Sequence, residues 1–358
     1  MSLPAAVPHP ASRGRLPGLD GLRALAVLLV LVAHFLPVTG VFFRWLAITG
    51  TFGVQVFFVL SGFLITHLLI REESRNGGVR LPLFYARRTL RILPPLAFYL
   101  SFLFVADRLG WIEVPGRDFL HSVLFLRNFF GVSPETAHLW TLAIEEQFYL
   151  IWPAILLLTP PGRQRLIVAG SVAVLGFLWG DLAYRIPAFA PANSWRTDLR
   201  LVPLMCGALT ALVREHPGFQ GSPWACRLGG GGAGFLGLFL VFLTPLIATF
   251  NVPILRFFIV PIGCAAVVLL VLHSVDGPGS ALVRALEWRW VRTLGTLSYS
   301  LYLGQQCFAG QAVRAKPAWF RELPQALVFV ALFAVLCHGL AERPLLALRR
   351  RLRPGGEG

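Results

Sequence analysis

One histidine stands in the otherwise apolar stretch from Ala24 to Phe35. His34 follows Arg23 by eleven residues, which on a helix rising 1.5 Å per residue puts it roughly 16 Å deeper. If Arg23 marks a membrane surface, His34 lies near or beyond mid-membrane. An imidazole at that depth can take or give a proton near neutral pH, as a general base must. The alternative is a histidine hydrogen-bonded to a backbone carbonyl purely for packing.

A second cluster runs from Trp140 to Tyr149 and contains Glu145, Glu146 and Gln147. Adjacent residues lie about 100° apart around a helix, so two carboxylates in an apolar helix cannot both face lipid. At least one must point into a bundle or a wet cavity. Glu145 and Tyr149, at i and i+4, share a face. Glu145 falls at a depth similar to His34, where a carboxylate could orient and charge-stabilise the imidazole or serve as an acid–base group itself. The alternative is a structural carboxylate bound to an arginine. Third, Phe84 to Pro95 carries Arg87, Arg88 and Arg91 at the start of an apolar run. Arg88 and Arg91 (i, i+3) or Arg87 and Arg91 (i, i+4) form a fork suited to phosphate groups, including those of coenzyme A. The bland reading is a positively charged flank of a membrane span.

The elements that must position these groups follow from composition. The 358-residue chain is 56% hydrophobic and 14% charged, with a mean hydropathy of +0.68. A soluble domain of this size would show far more charge. The apolar residues come in runs of roughly 18 to 22, the length that crosses a hydrocarbon core of about 30 Å. Ten spans are expected, near 20–38, 51–70, 90–106, 138–158, 166–183, 198–213, 230–250, 252–272, 293–313 and 324–341. The seventh and eighth are separated by a tight turn at Asn251 to Pro253. The shorter apolar stretch from Phe119 to Phe130 reads as re-entrant or interfacial.

The basic residues test that count. With the N-terminus in the cytoplasm, the cytoplasmic segments hold 21 of the 32 Lys and Arg, so both termini are expected inside. The net charge of +15 lies in short arginine blocks at the ends of apolar runs, which is the pattern of membrane topology and not of a nucleic-acid stripe. No nucleic-acid partner is expected. Lys316 is the sole lysine, which leaves Schiff-base chemistry a single, poorly placed candidate. The five cysteines form no C-x-x-C pair and read as small packing residues; no metal site is expected. Gly229 to Gly232 lacks the G-K-[ST] of a phosphate loop and, with Gly234 and Gly237, reads as a place where helices approach closely. The Pro- and Ala-rich segment 1–18 has no apolar core, so no cleaved signal peptide is expected. A single membrane domain is expected over 19–344, with a basic tail at 345–358.

Taken together, the motifs resemble the acyltransferase-3 family of bacterial membrane O-acyltransferases. The matching pieces are Leu19-Asp20-Gly21-Leu22-Arg23-Ala24 with His34 downstream, Gly53 to Ile65 with Ser61 and Gly62, and Tyr85 to Ile92 with Arg88 and Arg91. They continue with His138 to Tyr149 including Trp140, Leu297 to Leu303 including Tyr299 and Tyr302, and Glu342-Arg343-Pro344. The resemblance covers nearly the whole chain in the family's order. It implies an all-helical polytopic protein of the bacterial inner membrane that O-acylates, usually acetylates, sugars of surface polysaccharides, lipid-linked glycans, peptidoglycan or secreted glycosides. The donor implied is cytosolic acyl-CoA, acetyl-CoA foremost, as a substrate and not a permanently bound cofactor. By the same comparison His34 is the catalytic histidine, Glu145 the acidic residue of the fourth-span motif, and Arg23, Arg88 and Arg91 the functional arginines. Asp20, Ser61, Trp140, Glu146, Tyr149, Tyr302 and Gln305 are expected in support.

Two departures stand out. Where the family often reads aromatic-His after Tyr-Leu in the ninth span, this chain reads Gly304-Gln305, and an amide cannot titrate. The soluble hydrolase-like domain that many members carry is not in this chain, which implies direct delivery of the acyl group or delivery to a separate partner. Buried His, Glu and Arg in a helical bundle also describe a proton-coupled transporter. Against that reading, the two halves show no inverted similarity. Oligomeric state is left open.

Overall fold

A backbone in hydrocarbon has no water to bond with, so each apolar run must satisfy its own N–H and C=O groups as a helix. The computed structural model describes residues 16–36, 40–130, 133–186, 195–249, 253–277, 279–309 and 322–345. Among these there is no strand. The helices are α1 (Leu19–Phe35), α2 (Gly40–Asn76), α3 (Leu81–Arg108), α4 (Gly116–Val123), α5 (Pro134–Ala137), α6 (Trp140–Leu158), α7 (Arg163–Arg185) and α8 (Thr197–Glu215). They continue with α9 (Pro223–Gly229), α10 (Gly231–Thr249), α11 (Pro253–Asp276), α12 (Ala281–Leu286), α13 (Arg289–Phe308) and α14 (Gln325–Cys337). A π-helical turn, His338–Glu342, extends α14. Most of segment 1–18, the 251–252 turn, Lys316 and nearly all of the 345–358 tail fall outside the described residues.

Every expected span contains a long helix, but the boundaries differ in an instructive way. α2 begins at Gly40 and not near 51, and α3 begins at Leu81 and not near 90. Hydropathy marks where hydrocarbon lies, whereas a helix continues through polar residues until its hydrogen bonding stops. Arg88 and Arg91 therefore sit inside α3, not at its mouth. By length and composition, seven stretches are suited to crossing a membrane: those of α2, α3, α5–α6, α7, α10, α11 and α14 with its π turn. The remaining long helices, α1, α8 and α13, fall short because α1 has 17 residues and the other two carry charged or amide side chains. Those three helices run through the interior.

α1 lies between α2 and α13. A Cβ at Gly53 would meet the Ala26 carbonyl, one at Gly50 would meet Ala33, and one at Gly295 would collide with the Asp20 carbonyl. α2 crosses α8 at a reciprocal pair, with Gly62 against the Leu204 carbonyl and Gly207 against the Val59 carbonyl. Gly234 and Gly237 likewise let α10 close on α11 at His273 and Ala266. Small residues at crossings substitute for the hydrophobic drive that helices lack in lipid. α1 and α2 are antiparallel, and Gly50 marks the level of α1's last turn. Residues 40–49 of α2 then rise about 15 Å past that level, so His34, in that last turn, lies recessed below the start of α2. One core gathers around Tyr99, Leu103, Ile144, Trp152 and Phe333, and a second around Ala26, Val59, Leu60, Val267 and Leu270. The stretch Phe119 to Phe130 forms part of α4 and a set of turns, tied by buried Arg127 to the Phe130, Ser133 and Thr136 carbonyls.

Candidate active site

Three chambers lie in series between α1, α2, α3, α6 and α13. The first, about 240 Å³, is polar and is lined by Asp20, Arg23, Arg91, Thr296, His338 and Glu342 among others. The second is a neck of about 90 Å³ that holds Arg23, Ser61, Arg88, Arg91, Glu145 and Tyr149. The third is wide, about 710 Å³, and holds His34, His138, Trp140, Trp195, Arg200 and Gln306. The polar chamber and the neck share Arg23, Arg91, Ser298 and Tyr299. The neck and the wide chamber share Val54, Phe58 and Tyr302. The helices list the chambers in a consistent order. α1 runs from Asp20 and Arg23 to His34, α13 from Gly295 through Tyr302 to Gln306, and the antiparallel α6 from Trp140 to Tyr149.

The neck is a balance of charges. Arg88 stacks 4.4 Å over the Tyr149 ring, a contact that steadies a guanidinium away from water. Glu145 accepts a hydrogen bond from Ser61 Oγ at 2.6 Å and has Arg23, Arg88 and Arg91 as its electrostatic neighbours. Asp20 pairs with Arg23 at 3.6 Å. Tyr299 donates to the Ile92 carbonyl at 3.1 Å, which fastens α13 to the turn of α3 that carries Arg91. Arg87 faces elsewhere, donating to Glu72 at 2.7 Å, so the fork is Arg88 with Arg91.

The wide chamber has different chemistry. His34 Nδ1 lies 2.8 Å from the Val30 carbonyl. A carbonyl only accepts, so Nδ1 carries the proton and Nε2 keeps a lone pair. This backbone bond fits a packing histidine and equally fixes the tautomer that a general base would need. Trp140 stacks on Trp195 with ring centroids 6.1 Å apart, and Arg200 lies 5.7 Å from the Trp140 ring. Ala47, Ile48, Ala248 and Ile259 give the chamber an apolar wall. At the boundary with the neck, Tyr302 donates to the His138 carbonyl at 3.0 Å and sits 2.8 Å from Thr141 Oγ1. Phe58 meets Trp140 edge-on at 6.0 Å.

Most of the groups singled out in the sequence line these chambers, but His34 and Glu145 border different ones. Glu145 makes no hydrogen bond or ion pair with His34 among the described residues. It borders the neck and His34 the wide chamber, because α1 ends one full chamber beyond Arg23. Gln305 is fully buried, lines none of the three chambers, and its amide has no partner among the described residues; Gln306 is the amide that borders the wide chamber. Glu146 also lines none of the three, and its Oε1 is buried without a partner. Gln147 bolts α6 to the loop before it, donating to the Phe125 carbonyl at 2.8 Å and to Asn128 Oδ1 at 3.0 Å. Sequence reasoning missed Thr141, Phe58, Trp195, Arg200 and Gln306. The signal for Trp195 and Arg200 was a large aromatic and a cation at the start of an apolar run; the others carry no signal apart from the fold.

Fold and site together define a multi-helical membrane protein with a run of polar chambers through its interior. A family model for an acyltransferase domain matches residues 16–340, and the chain belongs to the acyltransferase-3 family. It is 30% identical over 317 residues to a peptidoglycan O-acetyltransferase of Listeria monocytogenes (OatA), covering 82% of this chain and 49% of that protein. It is 31% identical over 318 residues to YrhL of Bacillus subtilis, to which the same activity is provisionally ascribed, covering 80% of this chain and 48% of the relative. A provisionally named O-acetyltransferase of Staphylococcus aureus is 34% identical over 218 residues, covering 55% of this chain and 35% of its own. The chain spans about half the length of the first two relatives. No solved structure matches it.

Proposed function

We propose that this chain is a membrane O-acyltransferase that moves an acyl group, acetyl foremost, from cytosolic acyl-CoA to a sugar hydroxyl. The acceptor is a surface polysaccharide, a lipid-linked glycan or a secreted glycoside. One observation carries the reading: an arginine-lined neck opens into the chamber that holds a single-tautomer imidazole. Ten helices cross the bacterial inner membrane in this reading (α1, α2, α3, α6, α7, α8, α10, α11, α13 and α14), with both termini in the cytoplasm. The membrane domain is 19–344, flanked by 1–18 and 345–358. The polar chamber then opens to the cytoplasm and the wide chamber to the outside.

In the mechanism, Arg23, Arg88 and Arg91 hold the donor by its anionic groups. The pantetheine arm threads the neck and brings the thioester to the boundary at Phe58 and Tyr302. An acceptor hydroxyl enters the wide chamber and gives its proton to His34 Nε2 as its oxygen attacks the thioester carbon. The C–S bond breaks, and the imidazolium returns the proton to the departing thiolate. Proton and electron pairs balance, and His34 ends as it began. A covalent variant, with Nε2 itself attacking to give an acyl-imidazole, uses the same lone pair; acyl-enzyme formed without acceptor would mark it. Glu145 acts in the neck, offsetting the arginine charge beside Ser61 and Tyr149. Membership in an acyltransferase family tells against the proton-coupled transporter.

The test is mass spectrometry of surface glycans and secreted glycosides from the wild type, a deletion and a His34→Ala strain with normal protein level. A base-labile acyl group should vanish in both mutants. Survival of that group in His34→Ala alone would remove His34 from the mechanism. No difference in any strain would remove the proposed acceptors.

A further inference from the structure

The mechanism gives Arg200 no task. Among the described residues that line the wide chamber it is the one arginine or lysine, and no aspartate or glutamate lines the chamber with it. Asp198, the carboxylate closest in sequence, is engaged elsewhere. It accepts from Arg196 Nε and Nη2, both at 3.0 Å, and from Trp179 Nε1 at 2.8 Å. The lining of the chamber thus carries a fixed positive charge and no negative one.

The depth of Arg200 is set by the helix crossing beside the neck. Gly62 of α2 packs on the Leu204 carbonyl of α8, next to Ser61 in the neck. Arg200 precedes Leu204 by four residues, about 6 Å along the helix, on the side where Val202 and Pro203 also line the wide chamber. Thr197, one turn earlier, accepts from Asn128 Nδ2 at 2.8 Å and hydrogen-bonds Gln147 of α6, which pins the start of α8. An ionisable side chain inside a span is costly and is kept where it serves a cavity or a partner. In the proposed orientation α8 starts at the outer face, where topology does not favour basic residues.

The guanidinium lies 5.7 Å from the Trp140 ring, and Trp140 stacks on Trp195 with the two planes 7° apart. Trp195 is 43% exposed, which leaves indole surface for a ligand. An indole face takes the apolar C–H side of a sugar ring. A guanidinium takes a carboxylate or phosphate through two parallel hydrogen bonds. A sugar that carries an oxyanion matches both features at once.

We propose that the acceptor is an acidic glycan, in which the acylated sugar or its neighbour carries a carboxylate or phosphate. Arg200 is the specificity-determining residue that binds this oxyanion, while Trp140 and Trp195 hold the sugar face. The proposal rests on the acyl-transfer reading above and deepens it by naming the charge of the acceptor. In a chamber otherwise walled by aromatic and apolar side chains, one cation adds a charge requirement to a choice made by shape. No bond is made or broken at Arg200.

The experiment takes acceptor glycan from the deletion strain, where it is unacylated, and presents it with acetyl-CoA to detergent-opened membranes containing the full chain. One portion is used as purified, one after carbodiimide-mediated reduction of its carboxylates, and one after removal of its phosphates with hydrofluoric acid. Transfer is read by mass spectrometry of the glycan. Loss of the bound oxyanion should raise the glycan KM by about 10- to 100-fold, the worth of a charge-assisted pair, and the portion affected tells carboxylate from phosphate. Arg200→Gln should raise the KM for untreated glycan by as much, add little on the neutralised glycan, and leave the KM for acetyl-CoA unchanged. Arg200→Lys should restore part of the loss. Equal transfer to all three portions by the wild type overturns the proposal with acyl transfer intact, and this arm stands whether or not a variant accumulates. A lower kcat in Arg200→Gln on charged and neutralised glycan alike would make Arg200 a support for Trp140 or for the reaction itself, and also overturns it. If the wild type transfers to none of the portions, the transfer reading falls and this inference with it.

Discussion

The neck and the wide chamber meet at three side chains, yet they follow opposite rules. In the neck, polar groups pair closely, with Glu145 to Ser61 and Arg88 over Tyr149, and Arg23, Arg88 and Arg91 surround Glu145. In the wide chamber, His34 spends one nitrogen on its own helix, and aromatic and apolar surfaces surround it with room to spare. A matched, narrow site holds a known guest by many charged contacts. A roomy site with one activated lone pair leaves the guest to be chosen by shape. The difference agrees with the proposed division, in which the neck takes the donor and the wide chamber the acceptor.

Substitutions can break that division, and the largest effect falls on the wide chamber. His34→Ala should lower acyl transfer by about 10²–10⁴-fold, the usual worth of a general base, while acetyl-CoA binding by calorimetry stays close to wild type. A parallel loss of donor binding would mean the chambers are one site. Next come the neck cations. Arg88→Ala or Arg91→Ala removes charge-assisted hydrogen bonds worth about 1.5–3 kcal/mol, so the donor KM should rise by about 10- to 100-fold, with lysine restoring part of it. Glu145→Gln keeps a hydrogen-bonding group beside Ser61 but removes the negative charge. It should shift the donor KM more than the acceptor KM, and the reverse order would return Glu145 to the side of His34. Tyr302→Phe loses the bonds to the His138 carbonyl and Thr141 at the boundary. At about 1 kcal/mol for a neutral bond, transfer should drop by about 5-fold with both substrates affected. Arg87→Ala sharpens the comparison from outside. It breaks a largely buried pair with Glu72 that lines none of the three chambers, and should leave transfer within about twofold even where it lowers stability.

Much of this was legible in the residues because the bilayer allows few solutions. An ionisable side chain within an apolar run has to face protein or water, and this pointed to His34 and to the Glu145–Glu146 pair; Arg88 and Arg91 at the start of their run came from spacing and the family resemblance. The separation of Glu145 from His34 into different chambers has a cause that periodicity cannot reveal. Depth was counted from Arg23 on one helix and from an assumed entry point on another, and the offset between them is set by Gly295 on Asp20 and Gly50 on Ala33. Whether Arg87 or Arg88 joins Arg91 depends on the rotation of α3, which Glu72 on α2 fixes. Gln305 and Gln306 are adjacent amides about 100° apart on α13, and only the rotation of α13 in the bundle decides which one meets the cavity. The seven stretches recognisable by length and apolarity differ widely in surface left for lipid, from α7, with Val174, Leu175, Leu178 and Leu182 exposed, to the largely buried α2 and α11. α1 and α13 are shielded by neighbours and can carry polar groups that would otherwise forbid insertion.

The neck has one more consequence, which concerns the membrane and not the reaction. A bilayer that separates charge works as a capacitor, and any water-filled path through it is a short circuit. In the proposed orientation the chambers of this protein form such a path, interrupted at about 90 Å³ by Phe58, Tyr302 and a ring of arginines. Fixed positive charge at a constriction raises the barrier to hydronium and metal cations, the device by which water channels exclude protons. The groups that grip the donor would then also serve as electrical insulation, and weakening them would be felt first as leakage of the cell's voltage whenever the site stands empty.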